Sequence, residues 1–241
     1  QKELGMHIAF ESRIHQVSKE SPFNHKENCL LHIPKNLPYP SYSDKNYLIE
    51  IGNKIEALVN ASNGHAMVLF TSYKPLKIVY ENLKHRLSDY EMILMSRGKK
   101  DSINRFKQSK NGVLFATGSA WEGVNIPGDL LSHLIVVNLP FPIPDPISEY
   151  ERTMYSSMES YIDAVVVPKM LIKLRQGIGR LIRRETDSGV ISILDARAGK
   201  EGKYHGQVIQ ALPDCKQAVN IKNVKDFYTN MKSSDFYRNE K

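Results

Sequence analysis

Residues Met67–Tyr73 read MVLFTSY, an almost continuously apolar and β-rich run that is typical of a strand buried on both faces of a sheet. Similar runs recur along the chain at Cys29–Pro34, Glu91–Met95, Gly112–Gly118, His133–Pro140 and Gly189–Asp195. Amphipathic stretches between them predict helices at about 44–62, 75–88 and 99–108. This alternation predicts an α/β fold in which helices cover a mainly parallel sheet.

The 241 residues suffice for one large core, and no repeat or low-complexity linker divides them. We therefore expect a single domain over residues 1–241, with an irregular entry segment at 1–28 and a helical tail at 213–241. Four alternate prolines in NLPFPIPDP (138–146) predict stiff, extended backbone. Residues 148–184 are predicted to be helical with a break near Pro168, and residues 201–241 to form one or two helices.

The composition narrows the class of protein. A net charge of +7 favours an anionic partner such as a phosphate backbone. The two cysteines have no metal-knuckle spacing, and no apolar run approaches the ~20 residues that cross a membrane. We expect reduced thiols, no metal site, no membrane partner and a cytoplasmic location.

The segment Gln176–Arg184 reads QGIGRLIRR and directly precedes the apolar run at Gly189. On a helix, Gln176, Arg180 and Arg183 would fall on one stripe, because successive residues turn by about 100°. Two guanidinium groups and an amide suit phosphate oxygens, although a solvated basic face is the other interpretation. The complete Q-x-x-G-R-x-x-R spacing before a buried strand favours the first.

Two further segments follow predicted strands, at the carboxyl edge where parallel sheets bind ligands. Gly118–Gly128 reads GSAWEGVNIPG; its glycines permit close approach, and Trp121 can stack on a ligand or pack in the core. Thr71 and Ser72 end the predicted strand that begins at Met67, where their hydroxyls can bind phosphate or cap the next helix.

The segment Arg97–Lys110 has six basic residues and one acidic residue. It is either a solvated helix face or part of a nucleic-acid-binding surface.

Several common sites are missing from the sequence. There is no G-x-x-x-x-G-K-[ST] phosphate loop, so the chain alone is not expected to hydrolyse a nucleotide. Gly177-x-Gly179 fails as a dinucleotide fingerprint, because Ile182 stands at its last position and the segment precedes a strand. No Cys/His metal set or nucleophile elbow is present either.

In this order, the strand-end TSY, the WEGVNIPG loop, the NLPFPIPDP stretch and QGIGRLIRR closely resemble the second motor domain of DinG/XPD-like helicases of superfamily two. The resemblance covers about residues 21–212. It implies a RecA-like three-layer sandwich with a mainly parallel β-sheet flanked by helices. It also implies that two such domains clamp ATP between them while single-stranded DNA crosses both.

The resemblance assigns roles to the motifs residue by residue. QGIGRLIRR corresponds to the sixth helicase motif: Arg180 and Arg183 would approach the γ-phosphate, Arg183 being the preferred arginine finger, and Gln176 and Gly179 would bind the nucleotide. The remaining expected contacts come from the fourth and fifth motifs, with Glu122, Gly123 and Asn125 on the nucleotide and Thr71, Ser72, Gly118, Ser119 and Trp121 on the DNA.

The resemblance further implies ATP and Mg²⁺, bound mainly by a first RecA-like domain of the same parent chain that this sequence does not contain. Many relatives carry an iron–sulfur cluster, for which this chain has no ligands. Asn125 replaces the usual Asp, which keeps the size but loses the charge. Two alternatives therefore stand beside the helicase: a DNA-binding module that serves a fused exonuclease without unwinding, and an unrelated Rossmann-type enzyme disfavoured by the failed glycine fingerprint.

Overall fold

The computed structural model describes residues 24–95, 100–121, 126, 128–182, 184 and 186–237, with the backbone alone at 100, 119 and 121. Within these residues the strands are β1 Cys29–His32, β2 Ala66–Phe70, β3 Met92–Leu94, β4 Val113–Thr117, β5 His133–Val136, β6 Gly189–Ile193 and β7 Lys216–Ala218. The helices are α1 His25–Asn28, α2 Lys45–Ala61, α3 Tyr73–Leu83, α4 Lys100–Gln108, α5 Pro146–Arg152, α6 Met158–Tyr161, α7 Val167–Ile178, α8 His205–Ala211 and α9 Ile221–Met231.

The seven strands form one sheet in the order β3-β4-β2-β5-β6-β1-β7, and every pair is parallel. All residues of β1, β2, β5 and β6 are buried, as the apolar runs predicted. Because the strands are parallel, all seven chain segments leave the sheet at one carboxyl edge and re-enter it at one amino edge.

Helices cover both faces of this sheet. One face packs against α2, α3 and α9, with Ile51, Leu76 and Tyr228 fully buried between them. The opposite face packs against α4, α7 and α8, where Phe106 and Met170 are fully buried. The predicted three-layer α/β sandwich with a parallel sheet is confirmed.

The segment predicted to be helical over 148–184 is divided in the structure. Helix α6 runs without a break into a π-helical turn at Ile162–Val166 and then into α7, whose second residue is Pro168. A proline within helical backbone removes one intrahelical hydrogen bond, and the π-helical turn lies directly before it. Helix α7 ends at Ile178 with Gly179 as its C-cap. The prediction that Gln176 and Arg180 lie on one helix was therefore wrong, because Gly179 ends the helix before Arg180, whereas Arg183 lies outside the described residues.

The reading of residues 201–241 as one or two helices missed a strand. Two helices, α8 and α9, are present, but β7 lies between them and extends the sheet beside β1. Two of its three side chains, Lys216 and Gln217, are exposed, so it has no apolar run. The division into a single domain with an entry segment and a tail stays a prediction.

A buried polar network joins the strands β1, β5 and β6. The hydroxyl of Ser192 lies 3.0 Å from Nδ1 of His32 and 2.8 Å from Nε2 of His133. All three side chains are buried. Burial, reinforced by the charge of Lys54, lowers the pKa of His32 to about 4, and burial with the neighbouring His32 lowers that of His133 to about 3. Both imidazoles are therefore neutral in the folded protein at neutral pH.

This network predicts loss of stability in acid. Below about pH 6.5 the unfolded chain binds protons at both histidines, whereas the folded chain binds them only near their lowered pKa values, so each histidine removes up to about 1.4 kcal/mol per pH unit from the free energy of unfolding. The contribution of the two neutral histidines to the free energy of unfolding is fully present above pH 6.5 and is lost progressively as the pH drops towards 4. Urea unfolding between about pH 7.5 and pH 5 measures this slope.

The variant His133→Gln tests the assignment, because glutamine can still bond to Ser192 but cannot take up a proton in this range. It should be less stable at neutral pH and have a flatter pH dependence. The exposed His85 supplies the matched control, His85→Gln, which should keep the wild-type slope. Equal slopes in all three proteins would contradict the role of the network.

Candidate functional site

The carboxyl edge of the sheet brings together two of the predicted segments. Strands β2 and β4 pair with Phe70 opposite Thr117, so Thr71 and Gly118 follow on adjacent strand ends. Gly118 is exposed, has a φ of +55° and opens a 3-10 turn over Gly118–Trp121. Among the described residues, a Cβ added there would meet no atom within 4 Å beyond its chain neighbours. An extended ligand can therefore approach the backbone closely at this point.

The hydroxyls of Thr71 and Ser72 are half-buried at this edge. The Oγ1 of Thr71 lies 2.8 Å from the hydroxyl of Tyr42. Ser72 stands at the N-cap position of α3, but its side chain makes no capping hydrogen bond. The capping alternative for Ser72 therefore does not account for its hydroxyl.

Tyr42 is connected to the core through a ring contact with Tyr47 and a hydrogen bond of Tyr47. The Nδ2 of Asn138, just beyond β5, donates to the hydroxyl oxygen of Tyr47 at 2.9 Å, and the Tyr47 ring meets that of Tyr42 edge to face with centroids 6.4 Å apart. Burial raises the pKa of Tyr47 to about 12 and also raises the pKa of Tyr42. Both phenols are therefore neutral hydrogen-bonding groups.

The strongest electrostatic feature of this edge is Asp195, which follows β6 and is fully buried. Its Oδ2 accepts from the backbone N–H of Leu139 at 2.8 Å and from Nη2 of Arg197 at 2.6 Å. Its Oδ1 accepts from Nε and the backbone N–H of Arg197, at 2.9 and 3.0 Å. This two-point ion pair holds the chain leaving β5 against the chain leaving β6.

Aromatic rings surround the guanidinium of Arg197, which lies 4.7 Å from the centroid of Phe141 and 5.9 Å from that of Tyr39. Burial alone would lower the pKa of Arg197, but the bonds and charge of Asp195 outweigh it and the pKa is raised. Tyr39 is 70% exposed, so its outer face is open to a ligand. None of Asp195, Arg197, Tyr39 and Phe141 was predicted as a site residue, although a carboxylate at a strand end followed two residues later by arginine could have indicated the first two.

The arginine segment lies at the other edge of the sheet. Since α7 immediately precedes β6, the turn after α7 lies where the strands begin, and the β6 residue Val190 donates there to the carbonyl of Ser132, just before β5. Arg180 is buried in this turn, with an exposed fraction of 8%, while Gln176 and Gly179 are exposed. The expected DNA and nucleotide residues are thus divided between the two edges, Thr71 and Gly118 at one and Arg180 at the other.

Four of the predicted site residues, Glu122, Gly123, Asn125 and Arg183, lie outside the described residues. Ser119 and Trp121 are described by their backbone alone, in the 3-10 turn after β4. In the described part of the chain, no three His, Cys, Asp or Glu side chains group as metal ligands would. None of the helices described there is both long and apolar enough to cross a bilayer.

Comparison with known proteins identifies the family. Residues 55–215 match the family model of the helicase C-terminal domain. The chain is 33% identical over 214 residues to the ATP-dependent DNA helicase YoaA of Haemophilus influenzae. The aligned region covers 87% of this chain and 33% of that protein. The chain is also 33% identical over 202 residues to the 3′-5′ exonuclease DinG of Bacillus subtilis, covering 80% and 22%. The chain thus spans a third or less of the length of these relatives.

The fold agrees with this family. The apo structure of XPD superposes with a TM-score of 0.56 at 16% identity, over 81% of this chain and 40% of that one. This likeness confirms the predicted RecA-like arrangement of the seven parallel strands and their two helical layers. The chain therefore belongs to the helicase C-terminal domain family; it is similar in sequence to YoaA and DinG proteins and shares the RecA-like fold of XPD.

Proposed function

We propose that this chain is the second motor domain of an ATP-dependent DNA helicase, and that it supplies arginine fingers and single-stranded-DNA contacts for unwinding driven by ATP hydrolysis. The partners would be single-stranded DNA and a first RecA-like domain of the same parent chain, in the cytoplasm. The relative from Haemophilus influenzae carries the name of such a helicase. The observation that carries the proposal is that Thr71 and Gly118, whose backbone is open to approach, follow the ends of two adjacent strands.

The proposed DNA site is the carboxyl edge of the sheet. The Gly118 backbone and the hydroxyls of Thr71 and Ser72 would bind the phosphate backbone, which positions a strand without reading its sequence. Tyr39 is exposed beside Arg197 and offers a face on which an unpaired base can stack. We propose that Ser119 and Trp121, in the turn that begins at Gly118, extend the same site.

The proposed nucleotide site lies at the amino edge and is completed by the first motor domain. Arg180 and Arg183 would stabilise the charge that develops on the transferred phosphoryl group, an effect worth about 10³–10⁵ in rate for arginine fingers. We also propose nucleotide contacts for Gln176 and Gly179, on the same segment as Arg180, and for Glu122, Gly123 and Asn125. ATP would arrive with Mg²⁺, and we propose that the first motor domain supplies most of this ion's protein contacts.

Replacing Arg183 tests the catalytic assignment. In the full-length protein, Arg183→Ala should lower DNA-stimulated ATP hydrolysis about 10³-fold, because the transition-state charge loses its stabilising partner. The neighbouring Arg184 is exposed and gives a matched control, Arg184→Ala, which should retain nearly all activity. Circular dichroism would verify that both variants are folded. Equal ATPase rates in the two variants would remove Arg183 from the catalytic role.

Replacing glycine tests the DNA edge. Gly118 and Gly128 both have φ values near +55°, and at either position an added Cβ meets no atom of the described, non-neighbouring residues within 4 Å. Each Gly→Ala change should therefore cost a similar ~1 kcal/mol of stability, from backbone strain alone. Only Gly118→Ala should also weaken binding of an oligo-dT strand to the full-length protein, by about tenfold, if a phosphate contact worth about 1.4 kcal/mol is lost.

Fluorescence anisotropy measures this DNA affinity, and urea unfolding of each variant measures the shared strain. Gly128 opens a 3-10 turn just before β5, at the edge of the sheet opposite Gly118. An equal loss of DNA affinity in Gly128→Ala would attribute the effect to stability and not to the site.

A second function is favoured by one observation, the similarity to a protein named as an exonuclease in Bacillus subtilis. In that case the domain would hold DNA for a fused nuclease without unwinding it. The two functions differ in one measurement, strand separation by the full-length protein with ATP. Unwinding that depends on ATP excludes the binding-module function, whereas DNA binding without unwinding excludes the motor.

A further inference from the structure

An exposed row of large apolar side chains lies on the segment that follows β5. Ile143 and Ile147 are each 80% exposed, Tyr150 is 67%, Met154 is 66% and Met158 is 52%. Among the other large apolar residues that the structure describes, only Tyr39, at 70%, is more exposed than Met158. Isolated exposed apolar side chains are common, but five of them within the sixteen residues 143–158 mark a candidate interaction site. We call Ile143, Ile147, Tyr150, Met154 and Met158 the apolar stripe.

The stripe follows helical spacing. Ile147 and Tyr150 are three residues apart on α5, and Met154 follows four residues later. Helical-type turns continue beyond α5, since the N–H groups of Thr153 and Met154 donate three residues back, at 3.0 and 3.1 Å. The three side chains therefore share one side of this segment, the pattern by which an amphipathic helix anchors in an apolar groove.

Local hydrogen bonds hold the stripe in place. Asp145 and Ser148 form a reciprocal capping box at the start of α5, with bonds of 2.7 and 2.8 Å. A second capping box, between Ser157 and Ser160, begins α6. Glu151 pairs with Lys169 of α7 at 3.1 Å, which ties α5 to the body of the domain. The exposed side chains are therefore presented by an ordered element.

The charge around the stripe is opposite to that of the whole chain. Residues 143–163 contain five acidic side chains and one basic side chain, whereas the complete chain has a net charge of +7. Glu149, Glu159 and Asp163 are exposed beside the stripe. Phosphate backbones and anionic membranes are repelled by such a rim, and a symmetric contact between two copies would place acid against acid.

We propose that the apolar stripe is a docking surface for another protein whose apolar groove is rimmed by lysine and arginine. The apolar anchors supply affinity, and the acidic rim selects a basic partner and orients it. This inference does not depend on the proposed helicase function. Its position next to the proline-rich stretch places the partner beside the carboxyl edge of the sheet.

The test uses a labelled Leu/Lys amphipathic helical peptide of about 20 residues as the probe, because it presents an apolar face flanked by lysines. Fluorescence anisotropy should show that the wild-type chain binds it, and that Ile143→Ser/Ile147→Ser weakens binding about tenfold or more. The matched control is Ile49→Ser/Ile78→Ser, at two isoleucines that are 49% and 45% exposed on α2 and α3, and it should bind like wild type.

A Leu/Glu peptide of the same design should not bind, and Glu149→Gln/Glu159→Gln should weaken Leu/Lys binding several-fold. Thermal melts of each variant confirm folding, which exposed positions should leave unchanged. Equal binding by the stripe and control variants overturns the proposal, as does no binding by wild type. Oligo-dT or anionic vesicles that bind through the stripe, or sedimentation that shows stripe-dependent self-association, would assign it to a different occupant and also overturn it.

Discussion

The carboxyl edge of this domain depends on one buried ion pair, that of Asp195 with Arg197. A carboxylate without solvent access is costly unless every oxygen is paired, and here both oxygens accept two bonds each. One of the four comes from the backbone of Leu139, on a segment that leaves a different strand. The pair therefore fixes the ends of β5 and β6 relative to each other, and with them the aromatic rings around Arg197.

The proposed DNA site and the proposed nucleotide site lie at opposite edges of the sheet, so about one strand length separates them. Thr71 and Gly118 follow the ends of β2 and β4, whereas Arg180 lies where β6 begins. Helix α7 joins the two regions, since it packs on the turn that follows β4 and ends two residues before Arg180. A rigid helix in a close-packed interior transmits displacement along its axis. If the proposed motor is correct, α7 would connect the nucleotide site to the DNA site.

The sequence predicted the layers of this fold better than its edges. Central strands such as β2 are apolar on both faces, so their composition identifies them, whereas the exposed Lys216 and Gln217 conceal β7. The end of α7 was misplaced because buried Leu181 continues the helical spacing after Gly179 has ended the helix. The contact of Asn138 with Tyr47 spans 91 residues and depends on strand order, which no local pattern encodes.

The proline-rich stretch joins the buried ion pair to the apolar stripe. Its second residue, Leu139, is bonded to Asp195, its Phe141 ring lies against Arg197, and its Ile143 side chain is 80% exposed. Alternate prolines restrict the backbone torsions between these points, so the stretch is expected to be stiffer than a flexible linker. A protein bound at the stripe would then bear directly on the ends of β5 and β6. The restricted backbone of the proline-rich stretch thus connects the apolar stripe to the edge of the sheet that is proposed to bind DNA.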